Sequence, residues 1–375
     1  MGRAVAEYPL GIESLMLWQD LKTRTGRDTG FRRSGIVYAA FPGARLADTD
    51  GLMTADDGRA EPSLAASALA EAARDAGAVN LNNCAVRGLE TKAGRVSAVG
   101  TAQGVIRCDG AILAAGAWSR LFCANLGIDL PQVRVRSSVL RTAPAPGGPD
   151  MALGNGRFGI RPRADGGYTI TRRGRVPVQL TCDLLLQSSR FARGLVRNRR
   201  EIAVTVDGSR MQDLRTPRRW QTDRPGPFEQ DRVLDPDPQR RTLARAWRDV
   251  VRVFPALSGV PVVESWGGII DVAPDGVPVI DEAPGLPGLV IATGFSGHGF
   301  GLGPGAGQMA AEIATGAATL IDPAPFRIAP VRTTQAGRTT SWPVHVPANA
   351  VTPGAENFLY RATIPLNWTP VRSAV

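Results

Sequence analysis

The residues with most chemical consequence lie in "LVIATGFSGHGFGLGPGAGQMAAEIATG", residues 289–316. The stretch opens as an apolar β-rich run, places seven glycines between Gly294 and Gly307, and closes as an alanine-rich segment stopped by Gly316. Glycine lets a backbone approach its neighbour closely, because no side chain intervenes. Pro304 suits the first turn of a helix whose apolar stripe is Ala306, Met309, Ala310 and Ile313. The order is therefore strand, wide glycine loop, helix start. A helix start carries unpaired N–H groups and a partial positive charge, which favour an anionic or electron-rich group. A tight strand-to-helix crossing that needs small residues for packing explains the same glycines, and composition alone leaves the two open.

Other spacings that could do chemistry carry less. A GxGxxG pattern occurs at Gly154, Gly156 and Gly159, but a dinucleotide fingerprint must leave a strand and enter a helix. Here "IRPRADGGYTI" follows, and its Pro162 and Gly-Gly turn predict a hairpin. "GFSGHG" sets Ser296 near His298, yet a nucleophile elbow needs glycine where His298 stands, and the other histidine is the distant His345. Cys84, Cys108, Cys123 and Cys182 show no metal spacing, so they read as small apolar residues, and no metal site is expected.

Several elements must position the glycine stretch. Residues 9–26 predict a helix, with Pro9 at its start, Leu10, Leu17, Trp18 and Leu21 on one face, and Gly26 at its stop. "SGIVYAA" (34–40) reads as a strand, and residues 63–76 as a helix between Pro62 and Gly77. "AVRGLET", "RVSAVGT" and "VIRCDG", joined by "KAG" and "AQG", predict a β-meander. "AILAAG" (111–116) predicts a fully buried strand, with "AWSRLF" opening a helix. Strands and Gly/Pro turns follow from Val133 to Tyr168, then an arginine-rich region from Gly174 to Asp231 in which "CDLLLQSSRFARGLV" could be helical. Residues 239–254 form an amphipathic pattern ended by Pro255, and "VVESWGGIIDVAPDGVPVI" reads as two strands around a PDG turn. The residues after Asp322 are expected to be largely irregular.

Composition bounds the function. A chain of 375 residues, 43% hydrophobic and 21% charged, is an ordinary globular composition, with no apolar run near the roughly 18 residues of a membrane span. The N-terminus lacks a secretory layout, so a cytoplasmic location is the default expectation. The net charge of +10 rests almost wholly on arginine, with lysine only at Lys22 and Lys92. That skew fits coding bias better than a phosphate-binding face, and no nucleic-acid partner is expected.

Three pieces together resemble the FAD-dependent D-amino-acid oxidase (DAO) family, which includes glycine and sarcosine oxidases and D-amino-acid and opine dehydrogenases. They are "EPSLAASALAEAARDAGAVNLNNCAVRGLE", "GVIRCDGAILAAGAWS" and "ESWGGIIDVAPDGVPVIDEAPGLPGLVIATGFSGHGFGLGPGAGQMAAEIATG". The resemblance runs from about Pro9 to Phe326 and weakens between Gly174 and Asp231. It implies an α/β (α+β) fold: a Rossmann-like FAD-binding domain, in segments of about 52–132 and 256–322, interleaved with an antiparallel-sheet substrate domain in segments of about 27–51 and 133–255. Residues 324–375 form a tail beyond it. By the same resemblance Val86 lies by the adenine, and the turn at Ala115, Gly116 and Trp118 lies against the cofactor. Gly297, His298, Gly299, Phe300, Gly301 and Gly303 then face the flavin pyrimidine edge, where N–H groups stabilise charge on the reduced ring. The implied reaction is hydride removal from the C–H beside nitrogen in a small amine or amino acid, with an electron acceptor or partner subunit taking the electrons onward. His298 is the candidate catalytic group, although a hydrogen-bonded loop histidine explains it equally.

The sequence departs from the family pattern in two places. The family's opening strand, GxGxxG turn and helix, its first βαβ unit, have no counterpart here, so the chain is expected to be an N-terminally truncated fragment. The alternative function is then a catalytically inactive remnant without stable FAD binding. Ile270 stands where glycine and D-amino-acid oxidases place a carboxylate-clamping arginine, and Arg32, Arg33 or Arg161 could substitute.

Overall fold

A computed structural model of the chain describes residues 4–39, 50–174, 176–197, 202–205, 214–328 and 360–363. Helix α1 (Tyr8–Thr25) follows a 3-10 turn at Val5–Glu7 and is stopped by Gly26, whose φ of 69° lies in the left-handed region that glycine tolerates. Strands β1 (Ile36–Ala39) and β2 (Asp50–Thr54) precede α2 (Pro62–Asp75), which starts on its proline as expected. The predicted meander is β3 (Val86–Lys92), β4 (Arg95–Thr101) and β5 (Gly104–Arg107), all antiparallel. Its first turn puts Ala93 and Gly94 at φ 52° and 78°, the two-residue geometry that matches the twist of a hairpin.

β6 (Ala111–Leu113) leads through a 3-10 turn at Gly116–Trp118 into α3 (Ser119–Asn125). β7 (Val133–Thr142), β8 (Ala152–Gly154), β9 (Phe158–Pro162) and β10 (Tyr168–Arg172) follow. β8 and β9 pair antiparallel with Gly154 opposite Gly159, so the GxGxxG pattern is indeed a hairpin. The arginine-rich region supplies β11 (Val176–Gln179), α4 (Cys182–Leu186), α5 (Ser188–Arg197) and β12 (Ile202–Thr205), with the short α6 (Pro227–Gln230) after it. α7 (Arg240–Val253), β13 (Val262–Val272), β14 (Val279–Glu282), β15 (Leu289–Thr293) and α8 (Gly299–Thr315) complete the body. β16 (Tyr360–Thr363) pairs with β2, so the tail expected to be irregular contributes a strand; most of its other residues lie outside the described ones.

The strands form an eight-stranded sheet in the order β13-β7-β10-β9-β8-β1-β2-β16, a three-stranded sheet β14-β15-β6, the β3-β4-β5 meander, and the β11-β12 pair. α7 packs Leu243, Ala246 and Val250 on the large sheet against Leu140, Phe158, Ile160 and Ile170. α8 packs Leu302, Ala306, Met309 and Ala310 on the three-stranded sheet against Ile280, Val290 and Ala292, with Leu10 of α1 joining them. β15 is buried along its whole length. β6 runs parallel to β15 but is not fully buried, which corrects the expectation: Ile112 is 44% exposed. Among the described residues β6 has no neighbour on its other side, and a parallel strand at a sheet edge loses the cover that its apolar sequence anticipates.

Candidate functional site

The parallel strands β6 and β15 end side by side, and both release their chains toward one cleft of about 310 Å³. Ala114 and Gly116 line it from the turn after β6, Ala292, Phe295, Gly297, Gly299 and Phe300 from β15 and the start of α8, and Ile269, Ile270 and Asp271 from β13. A crevice at the carboxyl ends of parallel strands is where open α/β sheets bind ligands, because loops there can vary while the strands stay fixed. The cleft therefore lies where the three-stranded sheet meets the edge strand β13 of the eight-stranded one.

A polar network fixes these walls to one another. Oδ2 of Asp271 accepts from the N–H of Gly294 (2.6 Å), the hydroxyl of Thr293 (3.1 Å) and Nε2 of Gln132 (3.1 Å). Nε2 of the buried Gln132 also reaches Thr293 Oγ1 (3.0 Å) and the carbonyl of Gly116 (3.1 Å). One glutamine thus ties the turn after β6 to β13 and to the end of β15. Ser296 takes φ 52°, a left-handed conformation that costs a non-glycine residue about 1–3 kcal/mol. Three hydrogen bonds hold it there: its N–H donates to the Asp271 carbonyl, its hydroxyl to the Gly294 carbonyl, and Oγ accepts from the Ala273 N–H.

The start of α8 is held from outside by α1. The helix begins at Gly299, with His298 as its N-cap, so Pro304 sits inside it and not in its first turn as expected. Proline has no N–H for the carbonyl one turn earlier and crowds that turn. α1 supplies polar partners at this place. The Ser14 hydroxyl donates to the Leu302 carbonyl (2.9 Å) and accepts from the Gly305 N–H (3.0 Å), while Trp18 Nε1 donates to the Gly301 carbonyl (3.2 Å). The Phe300 ring lies tilted against that of Trp18, with centroids 5.1 Å apart. Contacts from α1 thus hold the backbone of α8 on both sides of Pro304.

Of the expected site residues, the structure brings Gly116, Gly297, Gly299 and Phe300 to the cleft wall. Ala115 is the neighbour of Gly116 in the same turn, and His298 stands between two lining glycines, with Nδ1 3.6 Å from Oε1 of Glu7. Gly301 and Gly303 lie in the first turns of α8; a Cβ at Gly303 would meet nothing within 4 Å. Trp118 turns its ring edge-on to Phe228 at 5.4 Å, and Val86 begins the meander, so neither borders the cleft. Arg161 donates to both carboxylate oxygens of Glu61, Arg33 pairs with Asp56, and Arg32 lies 3.5 Å from Asp28. These three arginines are engaged within the protein and are absent from the cleft lining. Asp271 and Gln132, which organise the walls, carry no motif; the sequence signal was only a polar residue beside strand residues in "GIIDV" and "LPQVRV". Among the described residues no group of side chains could hold a metal ion, and no helix is long and apolar enough to cross a membrane.

Residues 41–313 match the family described as FAD dependent oxidoreductase, DAO. A glycine oxidase of Pseudomonas putida is 27% identical over 245 residues, which cover 65% of this chain and 52% of that protein. The sarcosine oxidase subunit beta of Rhizobium meliloti is 25% identical over 296 residues, covering 79% of this chain and 58% of that one. The chain spans about half the length of the glycine oxidases it matches. Among solved structures, the L-amino acid deaminase of Proteus myxofaciens, in complex with anthranilate, superposes with a TM-score of 0.82 at 27% identity, over 87% of this chain and 81% of that one. The glycine oxidase of Geobacillus kaustophilus shares the fold at 19% identity and a TM-score of 0.62, over 86% of this chain and 83% of that one.

Proposed function

The chain belongs to the FAD dependent oxidoreductase (DAO) family, and from that premise we propose that it takes part in oxidising the C–H beside nitrogen in a small amine or amino acid. The observation that carries the proposal is the position of the cleft, at the carboxyl ends of β6 and β15 and under the start of α8. The fit to a flavin is partial and specific. A cleft of about 310 Å³ is at the low end of ligand pockets and has room for a ring system, with the rest of a dinucleotide lying outside it. Its wall has no Cβ at Gly116, Gly297 and Gly299, and the seventeen-residue α8 starts there.

When bound, FAD supplies the two-electron acceptor, which no side chain can. The residues of the chain hold and orient. Gly297 and Gly299 admit a flat group against the backbone, and the N-terminal end of α8 favours negative charge beside it. Ile269 and Ile270 offer an apolar wall that excludes water from the substrate carbon. Asp271 faces the cleft, but its Oδ2 is occupied by three donors, which makes it an anchor of the loop and not a base. With FAD bound as the two-electron acceptor, the substrate amine would be oxidised to an imine, which water would hydrolyse to an oxo product and ammonia or an amine. In this proposal segments of about 52–132 and 256–322 carry the cofactor, the eight-stranded sheet faces the substrate, and an electron acceptor or partner subunit completes turnover.

The test is anaerobic mixing of the FAD-loaded protein with a panel of neutral L- and D-amino acids and secondary amines. Bleaching of the flavin spectrum by one class supports the proposal, and a spectrum untouched by every member counts against it. The edge of β6, uncovered among the described residues and with Ile112 exposed, favours a second reading, in which the chain does not retain FAD and is catalytically silent. Equilibrium dialysis separates the two: saturable FAD uptake supports oxidation, and none supports the silent chain.

A further inference from the structure

Among the described residues, two buried polar atoms beside the cleft find no hydrogen-bond partner: Oε1 of Glu7 and Nδ1 of His298. They face each other across 3.6 Å. Glu7 is only 1% exposed, and its other oxygen, Oε2, accepts from the N–H of Ala4 at 3.0 Å. A bare imidazole nitrogen opposite a bare carboxylate oxygen would set lone pair against lone pair where water does not reach. A single proton on Nδ1 replaces that repulsion with attraction across the 3.6 Å gap. Neutral imidazole carries one N–H, so the nitrogen left as acceptor is then Nε2.

We propose that Glu7 is a positioning residue for His298: it keeps the proton on Nδ1 and so leaves Nε2 as the acceptor of the ring. The geometry suits that role. Glu7 closes the 3-10 turn that leads into α1, the helix whose Ser14 and Trp18 grip the start of α8. His298 is the N-cap of α8, between the lining residues Gly297 and Gly299. The contact that sets the helix start against the cleft therefore also sets the tautomer of the histidine at that start. The sequence separates the pair by nearly the whole described chain, which is why no motif announces it.

The tautomer can be read directly, without flavin or turnover, so the result stands apart from the proposed oxidation. The chain has two histidines, His298 and His345. Full-length His345→Gln protein with nitrogen-labelled histidine therefore gives one set of ring nitrogens in a long-range proton–nitrogen correlation spectrum. At a pH where the ring is neutral, the expected spectrum has a protonated Nδ1 and a bare Nε2. In Glu7→Met, which keeps the side-chain length without the carboxylate, the proton is expected to move to Nε2 in most molecules. An Nε2–H tautomer in the parent protein overturns the proposal, whether or not the variant folds. So does an Nδ1–H tautomer unchanged in Glu7→Met, which would leave Glu7 with only its bond to Ala4. Glu7→Ala is the second variant and carries the same two outcomes.

Discussion

Gly303 and Gly305 lie on successive sides of α8, and alanine is expected to move the stability of the protein in opposite directions at the two. At Gly303 a Cβ would meet nothing within 4 Å, so the substitution brings only the gain in helix propensity, about 0.5–1 kcal/mol. At Gly305 the same gain applies, but the Cβ would stand 2.7 Å from Ser14 Oγ, 3.1 Å from the Leu10 carbonyl and 3.2 Å from Leu10 Cδ1. Overpacking of this kind costs about 1–3 kcal/mol. Ser14 cannot retreat without loosening its bonds to Gly305 and Leu302, each worth roughly 0.5–1.5 kcal/mol. With one of those bonds lost, subtracting the propensity gain leaves a net loss of about 0.5–4 kcal/mol for Gly305→Ala. The assay is denaturant unfolding of the FAD-free chain, comparing midpoints at constant slope. A Gly305→Ala protein as stable as the parent would show that α1 and α8 are not in close contact, and the hold of α1 on the backbone around Pro304 would fail with it.

Other consequences follow from the same contacts. Gln132→Leu removes a buried donor shared by Gly116, Asp271 and Thr293; a loss of about 1–3 kcal/mol in denaturant unfolding is expected, together with weaker FAD binding in dialysis. The hydrogen bond from Arg87 holds the Glu229 carboxyl below its ordinary range. A depressed carboxylate contributes stability above its unfolded value, about 4.3, and that contribution is lost as the pH falls through the folded one. Trp220, whose Nε1 donates to the Arg87 carbonyl and whose ring meets Phe228 at 5.3 Å, should therefore change its fluorescence in acid below that value, and should do so less in Arg87→Met. Burial pushes the Cys123 thiol up to about 12, against a smaller opposing pull from Arg120. Mass spectrometry after alkylation of the native protein at neutral pH should find Cys123 unmodified and release its protection on unfolding.

The elements whose signals are local were legible in the sequence. α1 carries an apolar face between Pro9 and Gly26, α7 one that ends before Pro255, and the β9–β10 hairpin follows from Pro162 and the Gly-Gly turn. The glycine stretch was legible as a strand, a loop and a helix. What escaped depends on partners far away in sequence. Pro304 marks a first turn by local rule, yet the helix begins at Gly299, where Ser14 and Trp18 of the distant α1 bond the backbone around the proline. β6 reads as buried because its residues are apolar, but whether a strand is central or an edge depends on what pairs with it. Gln132 and Asp271 are ordinary polar residues until β13, β15 and the turn at Gly116 converge on them.

The seat of the flavin is open to one direct measurement: a crystal structure of the full chain grown with FAD. Ring density is expected in the cleft between Gly116 on one side and Gly297 and Gly299 on the other, with Ile270 along its edge. FAD that binds saturably in solution while its ring lies elsewhere in the crystal, leaving that cleft empty, would contradict the assignment.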